Sequence, residues 1–155
     1  MIVNSLFVLA AFIVLCLGGG SFIGFSTMPE TGGWFTTVVK PRFNPPSWLF
    51  GPVWSVLYIL MAVAAWLVWR NGGLAQWAMV LFAVQLLFNF AWSLIFFRAH
   101  QIGWALVDIT ALWLALAATI FSFAQNTALA AWLLAPYLAW VSFAAVLNAA
   151  IWRLN

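Results

Sequence analysis

Residues 47–69 read SWLFGPVWSVLYILMAVAAWLVW, twenty-three positions without an Asp, Glu, Lys or Arg. At 1.5 Å per residue such a run is long enough to cross the roughly 30 Å hydrocarbon core of a bilayer as a helix. The same test, applied outward along the chain, finds four more runs: residues 2–25, 74–97, 102–123 and 128–152. Polar breaks separate them. Asn71-Gly72-Gly73 is a turn cluster, Arg98-Ala99-His100-Gln101 a polar hairpin, and Gln125-Asn126-Thr127 another, with Thr127 placed to cap the fifth helix. Composition agrees. The 155 residues are 68% apolar and 5% charged, against about 45–50% and 25% in soluble domains. This excludes a soluble globular domain, a disordered chain and a disulfide scaffold; the lone Cys16 reads as a small buried hydrophobe. The expected fold is all-α, a single five-span membrane domain over residues 1–155. Its short connections force antiparallel neighbours.

Charge placement orients the bundle. Lys40, Arg42, Arg98 and Arg153 fall on one side and Arg70 alone on the other. In a bacterial host the positive-inside rule puts the four in the cytoplasm and the N-terminus outside, consistent with the inner membrane. The net charge of +3 thus sits in interface anchors, which argues against a nucleic-acid partner. The first run is not read as a cleavable leader, since no cation precedes Lys40. An odd number of spans also disfavours a simple inverted-repeat transporter.

The connection over residues 26–46 is much longer than its siblings. It carries Trp34, Lys40-Pro41-Arg42 and Asn44-Pro45-Pro46. Prolines fix φ and remove chain entropy, so this segment is expected to be a stiff lid over one end of the bundle. Within the spans, polar and aromatic residues fall on helical stripes. Trp54, Tyr58, Met61 and Ala65 form the first. Gln85, Asn89, Trp92 and Phe96 form the next. Trp104, Asp108 and Ala111 follow, and the last is Tyr137, Trp140, Ala144 and Asn148. If the stripes converge they line an apolar pocket with a few polar handles. Each element has a plainer reading too. Gln85 and Asn89 are equally suited to interhelical hydrogen bonding. Asp108, the one carboxylate within these runs, serves either as a structural partner or as a ligand or proton site. His100 suits an interface position. Of the twelve Trp, those near span ends (34, 48, 69, 77, 132 and 152) fit aromatic belts, leaving 54, 66, 92, 104, 113 and 140 deeper. Gly20-x-x-x-Gly24 is a ridge suited to close helix approach, within the chain or between copies. The chain has no phosphate loop, no Ser/His/Asp set and no cluster with metal-ligand spacing, so no metal is expected and conventional enzymology is not indicated.

The stretch Lys40-Pro41-Arg42-Phe43-Asn44-Pro45-Pro46, then Phe50 and Val53-Trp54-Ser55-Val56-Leu57-Tyr58, resembles the tryptophan-rich sensory protein family (TspO/MBR). The mitochondrial translocator protein, or peripheral benzodiazepine receptor, belongs to it as well. The resemblance continues through Asn89-Phe90-Ala91-Trp92-Ser93, Trp104, Asp108 and Pro136-Tyr137-Leu138-Ala139-Trp140 to Asn148, essentially the whole chain. It implies a five-helix membrane receptor or translocator, commonly a homodimer, that binds a porphyrin or haem ligand under the first connection and requires no cofactor. Carried over by motif, the ligand-binding residues are Pro45, Trp54, Tyr58, Asn89, Trp92, Trp104, Ala139 and Trp140, to which the stripes add Asp108. Trp34, Lys40 and Arg42 would form the lid and meet the ligand's propionates. Trp54 and Trp140 match positions linked to light-dependent porphyrin breakdown, one alternative function. Transport of porphyrin or lipid-like molecules, and a ligand-free scaffold, are the others. The family's sterol motif lacks its Tyr in Val146–Arg153, so sterol recognition is not expected.

Overall fold

A computed structural model describes residues 2–73 and 76–155. The five runs are five helices long and apolar enough to cross a membrane. The first span runs as Ile2–Ile13, a single π-turn at Val14–Gly18, and Gly19–Gly32. A four-residue helix, Trp34–Thr37, follows. The second span is Ser47–Gly72, and the third is Trp77–Ser93 with a closing π-turn at Leu94–Arg98. The fourth is Ile102–Asn126 and the fifth Ala128–Leu154. No strand occurs among the described residues.

Two expectations about boundaries change. The connection expected at 26–46 is helical over its first third, because the first span continues to Gly32. Its hydroxyls are satisfied within that helix. Ser26 and Thr27 donate to the carbonyl of Ile23 at 2.7 and 3.0 Å, and Thr31 to that of Met28 at 2.7 Å. These side chains therefore turn back onto the helix they sit in. The Gly32-Gly33 pair then ends it. The truly extended lid is only Val38 to Pro46. The third run, expected from Leu74, begins its helix at Trp77; Leu74 lies outside the described residues. Thr127 does stand at the start of the fifth span with extended backbone, yet its hydroxyl makes no capping bond. Its carbonyl accepts from Ala130 at 3.2 Å instead.

The fourth span packs mainly on the third and fifth, and the second on the first and fifth. Small residues allow this. Met61, Ala62, Ala64, Ala65 and Val68 of the second span are wholly buried, with Leu112, Leu116, Phe123, Leu134 and Tyr137 opposite. Between helices in lipid, close approach of small residues gains dispersion contacts that oily side chains alone would also find with acyl chains. The outer surface carries Phe7, Phe22, Trp48, Trp77, Phe121 and Trp132. Such a surface is stable only against hydrocarbon. The exposed indoles of Trp48, Trp77, Trp132 and Trp152 all sit at span ends, as an aromatic belt requires.

Candidate ligand-binding site

A cavity of about 350 Å³ lies at the lid end of the bundle, between the second half of the first span, the start of the second span and the end of the third. Its aromatic walls are Trp54, Tyr58, Trp92, Phe35, Phe50 and Phe97. Its first-span wall is made of small and hydroxylic residues, Gly20, Ser21, Gly24, Thr27 and Thr31. Trp54 stacks on Tyr58 with centroids 5.5 Å apart and meets Tyr137 edge-on at 6.1 Å. These rings fix one another's orientation. A smaller void of about 30 Å³ adjoins it, sharing Phe35, Phe50, Trp92 and Phe97 and adding Trp140 and Asn148. Phe50 packs edge-on against Trp140 at 5.9 Å, forming the partition.

A buried polar chain forms the floor. The Tyr58 hydroxyl donates to Asn89 Oδ1 at 2.7 Å, Asn89 Nδ2 donates to the Tyr137 hydroxyl at 2.8 Å, and that hydroxyl donates to Gln85 Oε1 at 3.0 Å. Second, third and fifth spans are stitched by this one network. Trp92 donates through Nε1 to Asn148 Oδ1 at 3.0 Å, and Asn148 Nδ2 donates to the Ile102 carbonyl at 3.0 Å. Gln85 and Asn89 are therefore interhelical glue, as one of their two readings had it. Asn89→Leu should orphan the Tyr58 hydroxyl and lower stability by about 1–3 kcal/mol, seen as a lower unfolding temperature in detergent.

The lid is pinned at several points. Asn155 grips the backbone of Val39, accepting from its N–H at Oδ1 and donating from Nδ2 to its carbonyl, both at 3.0 Å. Lys40 donates to the Val38 carbonyl at 3.0 Å and lies 4.5 Å from the centroid of Phe35, a wall residue of both cavities. Trp34 stacks on His100 at 4.2 Å. Arg42 is exposed, and Pro45 is half-buried in the lid without lining either cavity.

The stripes converge except for one. Trp54, Tyr58 and Trp92 share the large cavity and Trp140 the small one, with Asn89 directly beneath. The fourth span does not deliver Trp104, which is 68% exposed on the outer surface. Ala105, Ile109, Leu112 and Leu116 make that helix's inward stripe, and Trp104 lies about a quarter-turn away from it. Trp104→Ala should leave ligand affinity and stability nearly unchanged, within about 0.5 kcal/mol. Ala139 is likewise exposed. Asp108 is buried, its Oδ2 has no hydrogen-bond partner among the described residues, and it lines neither cavity. Phe35, Phe50, Phe97 and the first-span wall line the cavity without having been among the expected ligand-binding residues, although Phe50 stands in the family-like stretch and Gly20 and Gly24 in the small-residue ridge. Glycines at 20, 24 and 51 and the hydroxyls at 21, 27 and 31 were the available signal, because helices around a void need residues that do not fill it.

The sequence profile of the TspO/MBR family matches residues 12–153. The tryptophan-rich protein TspO of Chlorobaculum tepidum is 43% identical, with 98% of each chain covered. Human translocator protein is 44% identical over 88% of this chain and 83% of its own length. The tryptophan-rich sensory protein of Cereibacter sphaeroides is 39% identical over 79% of this chain and 77% of its own. With its five apolar crossings and tryptophan-walled cavity, this chain belongs to the TspO/MBR family of membrane sensory and translocator proteins.

Proposed function

We propose that the cavity beneath the lid binds a tetrapyrrole, a porphyrin or haem, and that the protein reports on or conveys that ligand at a bacterial inner membrane with its N-terminus outside. The observation that carries this is the aromatic enclosure: Trp54, Tyr58 and Trp92 on facing helices around one cavity of about 350 Å³. Flat rings present planar, polarisable surfaces, and a planar conjugated macrocycle offers the complementary face. The volume is within the range of small-molecule sites, roughly 300–1,000 Å³. Residues of the rim from the first and second spans, among them Phe25, Met28, Gly51 and Ser55, are also exposed on the outer surface. A disc larger than the cavity would project through that side.

Lys40 stands against the wall ring Phe35, and Arg42 is exposed at the surface. Both are positioned at the end of the bundle where propionate carboxylates would emerge, and both would form charge-assisted bonds with them. Asp108 lines neither cavity and has no part in this binding mode.

Titration of protoporphyrin IX into the purified protein, followed by tryptophan fluorescence, tests the proposal. The Trp54→Ala variant, which removes a ring that lines the large cavity, is expected to weaken affinity about fivefold, since a well-placed aromatic contact contributes about 0.5–1.5 kcal/mol. An unchanged dissociation constant would remove the pocket assignment. The same sample, illuminated and kept dark, addresses the photochemical alternative: porphyrin absorbance lost equally with and without protein in light would reject it.

A further inference from the structure

At the lid end, three residues from three segments meet outside the cavity wall. The Glu30 carboxylate, in the last turn of the first span, lies 2.9 Å from His100 Nε2 in the connection after the third span. The Trp34 indole, at the start of the short helix, stacks on the same imidazole with centroids 4.2 Å apart and planes 15° from parallel. His100 is held at φ 55°, the only residue other than glycine with positive φ among those described. A left-handed conformation at a side chain with a Cβ persists where surrounding contacts over-determine it. These contacts reach the cavity directly. Trp34 and Phe35 both pack edge-on against Phe96, at 5.8 and 5.9 Å, and Phe35 against Phe97 at 5.4 Å. Phe35, Phe97 and Thr31 line the large cavity.

We propose that Glu30, His100 and Trp34 form a proton-sensitive latch that holds the short helix and lid against the third span and so controls opening of the cavity. Histidine changes charge between about pH 5 and 8. As the imidazolium it pairs with the Glu30 carboxylate and presents a cation to the indole face. As the neutral imidazole it keeps at most one hydrogen bond to that carboxylate. The latch therefore tightens on the mildly acidic side and loosens as pH rises through the imidazole range. The other charged groups at this end are the four cations Arg98, two residues before His100, Lys40, Arg42 and Arg153, and the buried Asp108 carboxylate in the second turn of the fourth span. Lys40 is committed to the Val38 carbonyl and the Phe35 ring, and none of the four forms an ion pair within 4.0 Å among the described residues. This inference concerns access to the cavity and not the identity of what enters it.

The test uses the whole chain in nanodiscs without ligand, so it can fail independently of tetrapyrrole binding. Backbone hydrogen exchange of the 33–46 segment is measured at about pH 5.5 and pH 8 and corrected for the intrinsic rate. Protection in the unsubstituted protein is expected to be about threefold to fivefold greater at the lower pH, the size of a partly exposed ion pair. His100→Arg keeps a cation at both values and is expected to remain protected at both. His100→Gln keeps a donor without titrating and is expected to exchange fast at both. Glu30→Gln, which removes the partner and not the strained residue, gives an independent check with the same loss. Protection that does not vary with pH in the unsubstituted chain overturns the proposal. So does a pH dependence that survives in His100→Gln.

Discussion

Gly20→Ala is expected to destabilise the protein by about 2 kcal/mol and to weaken ligand binding with it. A Cβ built on Gly20 would come within 2.1 Å of Tyr58 Cε2 and 2.4 Å of Cζ. No rotamer of the new methyl exists to escape this, since Cβ is fixed by the backbone. The ring must move, and the ring is anchored: its hydroxyl donates to Asn89 at 2.7 Å inside the buried chain that reaches Tyr137 and Gln85. Overpacking of this kind costs about 1–3 kcal/mol, and pulling the hydroxyl from its acceptor adds the loss of a buried hydrogen bond. The intrinsic helix preference of Ala over Gly, up to about 1 kcal/mol, offsets part of it. The expected readout is an unfolding temperature about 5 °C lower in detergent. A variant as stable as its parent would show that Tyr58 does not pack on the first span.

Gly24→Phe is expected to do the reverse, sparing the fold and abolishing binding. Gly24 borders the large cavity, and a Cβ there meets nothing within 4 Å. The open space around that Cβ lets an added benzyl group turn into the cavity that Gly24 borders without displacing a neighbour. Affinity for protoporphyrin IX should fall at least tenfold, about 1.4 kcal/mol, with the unfolding temperature unchanged or raised by the extra buried contact. Taken with Gly20→Ala, one turn away on the same helix, this separates loss of the site by filling from loss by unfolding. Binding undiminished in a folded Gly24→Phe protein would move the ligand elsewhere.

The crossings were legible in the sequence because their signal is length and lack of charge, which requires no knowledge of neighbours. The second, third and fifth stripes were legible because Tyr58, Asn89, Trp92 and Asn148 each carry a polar atom that must be satisfied within lipid, and each is turned toward a partner. Trp104 misled for the complementary reason. In water an indole on the outside of a helix would be conspicuous, but in a bilayer both faces of a crossing are apolar, so hydrophobicity no longer tells inside from outside. Sharing a stripe with Asp108 did not supply that direction. The first-span wall escaped notice because a void is recorded in a sequence only as small residues, and Gly20 and Gly24 suit a helix contact equally well. The structure divides them: one accommodates a tyrosine ring and the other borders open space. The Glu30–His100 pair joins residues 70 apart, and no local pattern announces it.

The π-turn at Val14–Gly18 has a consequence for how relatives should be aligned. In an unbroken α-helix Gly20 would stand about 80° around the axis from the inward-facing Phe12; with one residue absorbed by the wider turn the offset shrinks to about 20°. The bulge thus behaves as a swallowed insertion that keeps both halves of the crossing in phase. Homologues one residue shorter should carry their gap within this turn, and excising a single position there should heal the helix where the same excision near Gly24 would scramble the cavity wall. Alignments that slide the gap toward the lid will assign the ring-accommodating glycine to the wrong column.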